Sequence, residues 1–93
     1  MEIINNVYVV KVKDNKLFSY LEIEKGESFD SFHHTKMDAE KRLYDIFNDV
    51  IWFDPLKHDL KSKEKGFIVQ DKIDPKRTFE AYYEKVDIVI NNR

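Results

Sequence analysis

The three histidines, His33, His34 and His58, carry the widest chemical repertoire in this 93-residue chain. An imidazole titrates near neutral pH, carries protons and ligates metals. The spacing does not make a ready-built site. Adjacent side chains such as those of His33 and His34 leave most backbones in different directions, whereas metal-binding pairs on a helix sit four residues apart. His58 and Asp30 can complete a cluster only through tertiary contact. The favoured reading of "SFHHTKMDAEKRL" is a solvated polar turn that leads into a helix. A small metal-dependent enzyme using all three histidines is kept as an alternative.

Other chemistry is excluded more firmly. The chain has no cysteine, so disulfides, thiolate metal sites and cysteine nucleophiles are impossible. Gly26 and Gly66 stand alone, which rules out a glycine-rich phosphate loop. Ser19, Ser28, Ser31 and Ser62 lie in no nucleophile motif. Acidic residues are so common here that any pair of carboxylates says little about acid–base catalysis. No catalytic residue, metal or cofactor is expected.

Binding chemistry is better represented. Trp52, Tyr82 and Tyr83 are more aromatic bulk than one thin core needs, and Asp49 and Asp54 sit close to Trp52 in sequence. Aromatics supply large contact area at low entropy cost, and rim carboxylates steer a basic partner. These five residues form the candidate partner-binding set. A competing set is basic: Lys11, Lys13, Phe18 and Tyr20 on one face of an N-terminal hairpin, with Lys57, Lys61, Lys63 and Lys65. Such a face could stack bases between cations. Glu22, Glu24 and Glu64 interrupt it, and the net charge is −2, so nucleic acid is the alternative partner and not the favoured one. Asp38, Asp45 and Asp49 lie near one helix face with Arg42 among them, and are read as a solvated surface.

The elements that must hold these residues follow from pattern. "VYVVKVKDNKLFSYLEIEK" alternates around Asp14-Asn15 and predicts a tight hairpin, with Tyr8, Val10, Val12, Leu21 and Ile23 on its apolar face. Gly26 and its serines mark a loop. Thr35 predicts a helix N-cap, and Ala39, Leu43, Ile46, Val50 and Phe53 recur at helical spacing until Asp54-Pro55. Residues 55–66 read as a lysine-rich loop with one helical turn, and Phe67–Ile73 as a strand. Residues 75–85 fit a helix or a hairpin strand. The hairpin is favoured, with Asp74-Pro75 in its turn, Lys72 near Glu80 and Val69 near Tyr83. "VDIVI" is strand-like by β-branching.

The expected fold is one α+β domain over residues 1–93. It has two layers: an antiparallel sheet in β-β-α-β-β order with one amphipathic helix on one face. The predicted core is Tyr8, Val10, Val12, Leu21, Leu43, Ile46, Phe47 and Val50. No apolar run approaches the length of a membrane span, and the lack of cysteine and of a secretory leader points to the cytoplasm. Lysine far outnumbers arginine, the usage of an AT-rich genome. The function expected is a small non-enzymatic protein-binding or inhibitory module of bacteria or phages, of the immunity, antitoxin or anti-defence kind. Its partner is expected to be a protein. A homodimer through the C-terminal strand or the aromatic residues stays open.

Overall fold

The computed structural model describes residues 2–18 and 30–91. Thr35 opens the helix as its type suggests. Its backbone is extended, and its hydroxyl oxygen accepts the Asp38 N–H at 3.1 Å. Helix α1 spans Lys36–Asp45 and continues as a π-helical turn over Ile46–Val50. The Ile51 N–H closes that turn on the Ile46 carbonyl at 3.1 Å. Helical structure therefore ends before Asp54-Pro55, where the sequence places the stop. Ile51 is extended, and neighbours on extended chain point to opposite sides. Ile51 enters the core and Trp52 is turned outward.

Five strands form one antiparallel sheet: β1 (Glu2–Asn15), β2 (Ser31–His33), β3 (His58–Lys63), β4 (Gly66–Asp71) and β5 (Thr78–Asn91). Their spatial order is β2-β1-β5-β4-β3. The α+β class holds: among the described residues the elements run β-β-α-β-β-β, and the short strand β2 forms at Ser31–His33, where the sequence reads as a polar turn. All fourteen residues of β1 pair with β5, from Glu2–Asn91 to Asn15–Thr78.

That pairing corrects the N-terminal hairpin. Asp14 and Asn15 are strand residues opposite Phe79 and Thr78, not a two-residue loop. The chain turns one residue later, at Lys16, which takes a φ of 60°. The Asp14 carboxylate holds the turn by accepting the Phe18 N–H at 3.1 Å. Phe18 does not lie on an outer basic face. It is 4% exposed, and its ring meets Phe79 and His58 at 5.5 and 5.4 Å. The proposed second hairpin strand from Ser19 to Glu24, with Tyr20 and Leu21, lies outside the described residues.

Residues 58–63, read as loop, form edge strand β3, which joins β4 through Glu64-Lys65. Its side chains are mostly exposed, so no apolar alternation announces it. Gly66 marks the spot. A Cβ there would stand 2.1 Å from the Ala81 carbonyl oxygen, so only glycine lets β4 approach β5 this closely.

Residues 75–85 belong to no helix. The β4–β5 hairpin pairs Val69 with Phe79 and Ile68 with Glu80. The expected register of Val69 with Tyr83 is displaced by an even number of residues, which preserves the faces. The last strand is also not a sheet edge along Thr78–Tyr82, because it runs there between β1 and β4.

One cluster joins the helix to the sheet. Val10, Val69, Phe79 and Ala81 meet Ala39, Leu43, Ile46 and Ile51. Of the predicted core, Val10, Leu43 and Ile46 are buried, while Tyr8, Val12, Phe47 and Val50 are half-buried against them. Among the described residues, no helix is long and apolar enough to cross a membrane.

Candidate functional site

Sheet order separates the histidines. His33 stands on edge strand β2 and His58 on the opposite edge, β3. Four interstrand steps of about 4.8 Å alone separate them by roughly 19 Å across the sheet, and the register offsets them further along the strands. The His33 ring pairs with the Ser31 hydroxyl at 2.7 Å, and His34 is exposed at the start of the helix. His58 is half-buried between the rings of Phe18 and Phe53. The three therefore do not converge on one metal.

The five candidate partner-binding residues are also divided. Tyr82 and Tyr83 are adjacent on β5 and face opposite sides of the sheet. Tyr83 is buried in the core, edge-on to Tyr8 at 6.1 Å. Tyr82 lies on the outer face opposite Lys11 and Gly66. Trp52 and Asp54 line one hollow with Leu17, Phe18, Lys57 and His58, while Asp49 is exposed on the π turn. The structure thus keeps Trp52 and Asp54 together and does not bring either tyrosine to them.

The basic outer face is matched by acid. Lys11 lies 2.9 Å from Glu84, whose carboxylate raises the lysine above its ordinary pKa. Lys63 lies 3.3 Å from Glu80.

The sequence reading missed a second feature around Trp52. Two Asp-Pro turns are built alike at one end of the sheet. In the first, the Asp54 carbonyl accepts the N–H groups of Lys57 and His58 at 3.0 and 2.7 Å, and its carboxylate accepts Leu56 N–H at 2.9 Å. The Asp54 N–H donates to His58 Nδ1 at 2.9 Å. In the second, the Asp74 carbonyl accepts Arg77 N–H at 3.0 Å, and its carboxylate accepts Lys76 N–H at 3.1 Å. Aspartate at the first turn position and proline at the second is the arrangement their chemistry favours.

The turns are tied to each other. Lys72 N–H donates to the Lys57 carbonyl at 3.0 Å, and Lys72 Nζ to the Pro55 carbonyl at 2.9 Å. The Lys16 turn joins them, because Arg77 Nε donates to the Lys16 carbonyl and Asn15 Nδ2 to the Lys76 carbonyl. On this bonded frame stand three large apolar side chains in water: Trp52 at 79% exposure, Leu56 at 86% and Ile73 at 94%. Nothing in residue type alone marks Leu56 and Ile73 as exposed. Asp74-Pro75 is read as a turn from sequence, and the matching Asp54-Pro55 is the signal that could have located the other.

Asp71 anchors the second turn. Its carboxylate accepts the N–H groups of Ile73 and Asp74 at 2.7 and 3.2 Å, and Arg77 lies 3.7 Å away. Those backbone donors, then Arg77 and His58, hold its pKa below the usual carboxylate range. A lowered folded value means that the ionised form stabilises the fold. That contribution is complete above the unfolded pKa of about 3.9 and is lost as pH falls through the lower folded value. Asp71→Asn is expected to lower the urea midpoint at pH 7 and to narrow the gap from wild type as pH drops below 4. An unchanged midpoint at pH 7 would remove the anchor role.

No protein-family model matches the chain, and neither does any curated protein or solved structure.

Proposed function

We propose that this protein is a small non-enzymatic binding module that masks a protein partner, and that the loop end carrying Trp52, Leu56 and Ile73 is its contact surface. It is read as an accessory protein of bacteria or phages, of the immunity, antitoxin or anti-defence kind, working in the cytoplasm. The supporting observation is the combination of exposed apolar bulk with loops fixed by hydrogen bonds. Large apolar side chains in water mark contact surfaces when they are grouped. Loops held before binding lose little conformational entropy on association. Asp54 and Lys57 beside Trp52 supply a polar rim.

The test is site-directed photocrosslinking in host lysate. A photoreactive residue replaces Leu56, and a control replaces Phe32, which is exposed on the far edge strand. The expected result is a discrete protein adduct from position 56 and none from position 32. Adducts mainly from position 32, or nucleic acid released by salt, would overturn the reading. An adduct with a second copy of the chain would replace the masking of a foreign partner with self-association.

A further inference from the structure

The opposite end of the β3–β4 hairpin carries a separate surface. A groove of about 310 Å³ lies between α1 and that hairpin. This is the lower end of the size range of ligand sites. Leu43, Phe47, Phe67 and Tyr83 supply its apolar lining from the core side. Tyr44 and Leu60, both exposed, stand beside it from the helix and the edge strand.

Two carboxylates and one ammonium are among the groups that line the groove. Glu40 comes from α1 and Glu64 from the hairpin turn. The Lys63 ammonium is engaged with Glu80, 3.3 Å away, and the register of Lys63 and Glu80 places both on the other side of the sheet. Glu40 has a loose 3.7 Å pair with Lys36 along the helix, which water weakens.

We infer that this groove docks a basic segment of a partner protein, inserting one aromatic side chain between Tyr44 and Leu60 and setting a lysine or arginine against Glu40 and Glu64. The apolar lining supplies the anchor site, and the carboxylates select the flanking charge. A phosphate-bearing ligand meets like charge at the same rim. The inference does not depend on the loop end, because the two surfaces lie at opposite ends of β3 and β4.

The test is amide NMR titration of the intact protein with three blocked pentapeptides: Lys-Ala-Phe-Ala-Lys, Glu-Ala-Phe-Ala-Glu and Lys-Ala-Gly-Ala-Lys. The basic phenylalanine peptide is expected to shift the amides of Glu40, Tyr44, Leu60 and Glu64 saturably. It should bind at least about fivefold more tightly than the acidic peptide, the scale of two partly exposed charge pairs, and more tightly than the glycine peptide, which lacks the aromatic anchor. Glu64→Lys, in an exposed turn, should remove that preference, while Trp52→Ala should leave it intact. Equal binding of the basic and acidic peptides would overturn the inference. So would a failure of all three to move these amides, or an unaltered preference in Glu64→Lys. Loss of peptide binding in Trp52→Ala would show one shared surface instead of two.

Discussion

Replacing Phe79 with alanine is expected to cost about 3–5 kcal/mol of folding stability, the usual range for a buried aromatic. Phe79 is fully buried, and its ring meets Phe18 at 5.5 Å and Phe67 at 6.0 Å. Its backbone lies between Asp14 of β1 and Val69 of β4. The side chain therefore packs where the Lys16 turn, both neighbouring strands and the helix side of the core come together. Small domains have total stabilities of roughly 5–15 kcal/mol, so this single loss could leave most molecules unfolded. Phe79→Leu keeps much of the volume and should cost clearly less. The measurement is urea denaturation followed by circular dichroism. A loss below about 1 kcal/mol for alanine would mean that Phe79 is not the centre of the core.

Trp52→Ala is expected to behave in the opposite way. The side chain is 79% exposed, so folding stability should stay within about 0.5 kcal/mol of wild type. Affinity for the crosslinked partner should fall by about 2 kcal/mol or more, close to thirtyfold. Most of that change should appear in the dissociation rate, as for other anchor residues. Asp54 is a poor comparison, because its carboxylate also accepts Leu56 N–H and its removal loosens the turn. Tyr82→Ala on the outer face and Phe32→Ala on β2 are better controls, since both lie away from the loop end. A Trp52→Ala protein that folds and binds like wild type would move the interface elsewhere. Trp52 is the chain's single tryptophan, so its fluorescence also reports directly on whether a partner covers it.

Much of the local structure was legible. The Thr35 cap depends on one hydroxyl and one nearby N–H, and the helix stripe depends on the geometry of one element. Strand β4 is apolar and bounded by Gly66 and the Asp74-Pro75 turn, so it too could be read from its own residues. The errors share a different cause. Asp14-Asn15 tolerates a turn, but pairing of β1 with a strand far along the chain kept both residues extended. A local preference worth little was overridden by a long ladder. Strand β3 is polar because it is an edge, which hides it from any search for alternation.

The candidate site was half legible for the same reason. Trp52 and Asp54 come together because they share one short stretch of chain. Tyr82 and Tyr83 looked like a pair in sequence, yet strand geometry sends neighbours to opposite faces. The link between the two Asp-Pro turns depends on Lys72 reaching Pro55 and Lys57, a contact that no local pattern encodes.

The central place of β5 also bears on how the chain acquires its structure during synthesis. Even the nearest pairing of β1 with β5, Asn15 with Thr78, spans about two thirds of the chain. Closing so long a loop is entropically unfavourable, and proteins dominated by such distant contacts fold over milliseconds to seconds. On the ribosome, β1 emerges well before its long partner. Val9 and Val10 can pair early with β2, but the other edge of β1 must wait for β5 while the helix and the β3–β4 hairpin are made. During that interval it is a sticky segment open to chaperones or to a neighbouring nascent chain. The arrival of Thr78–Asn91 is the event that converts these separate pieces into one sheet.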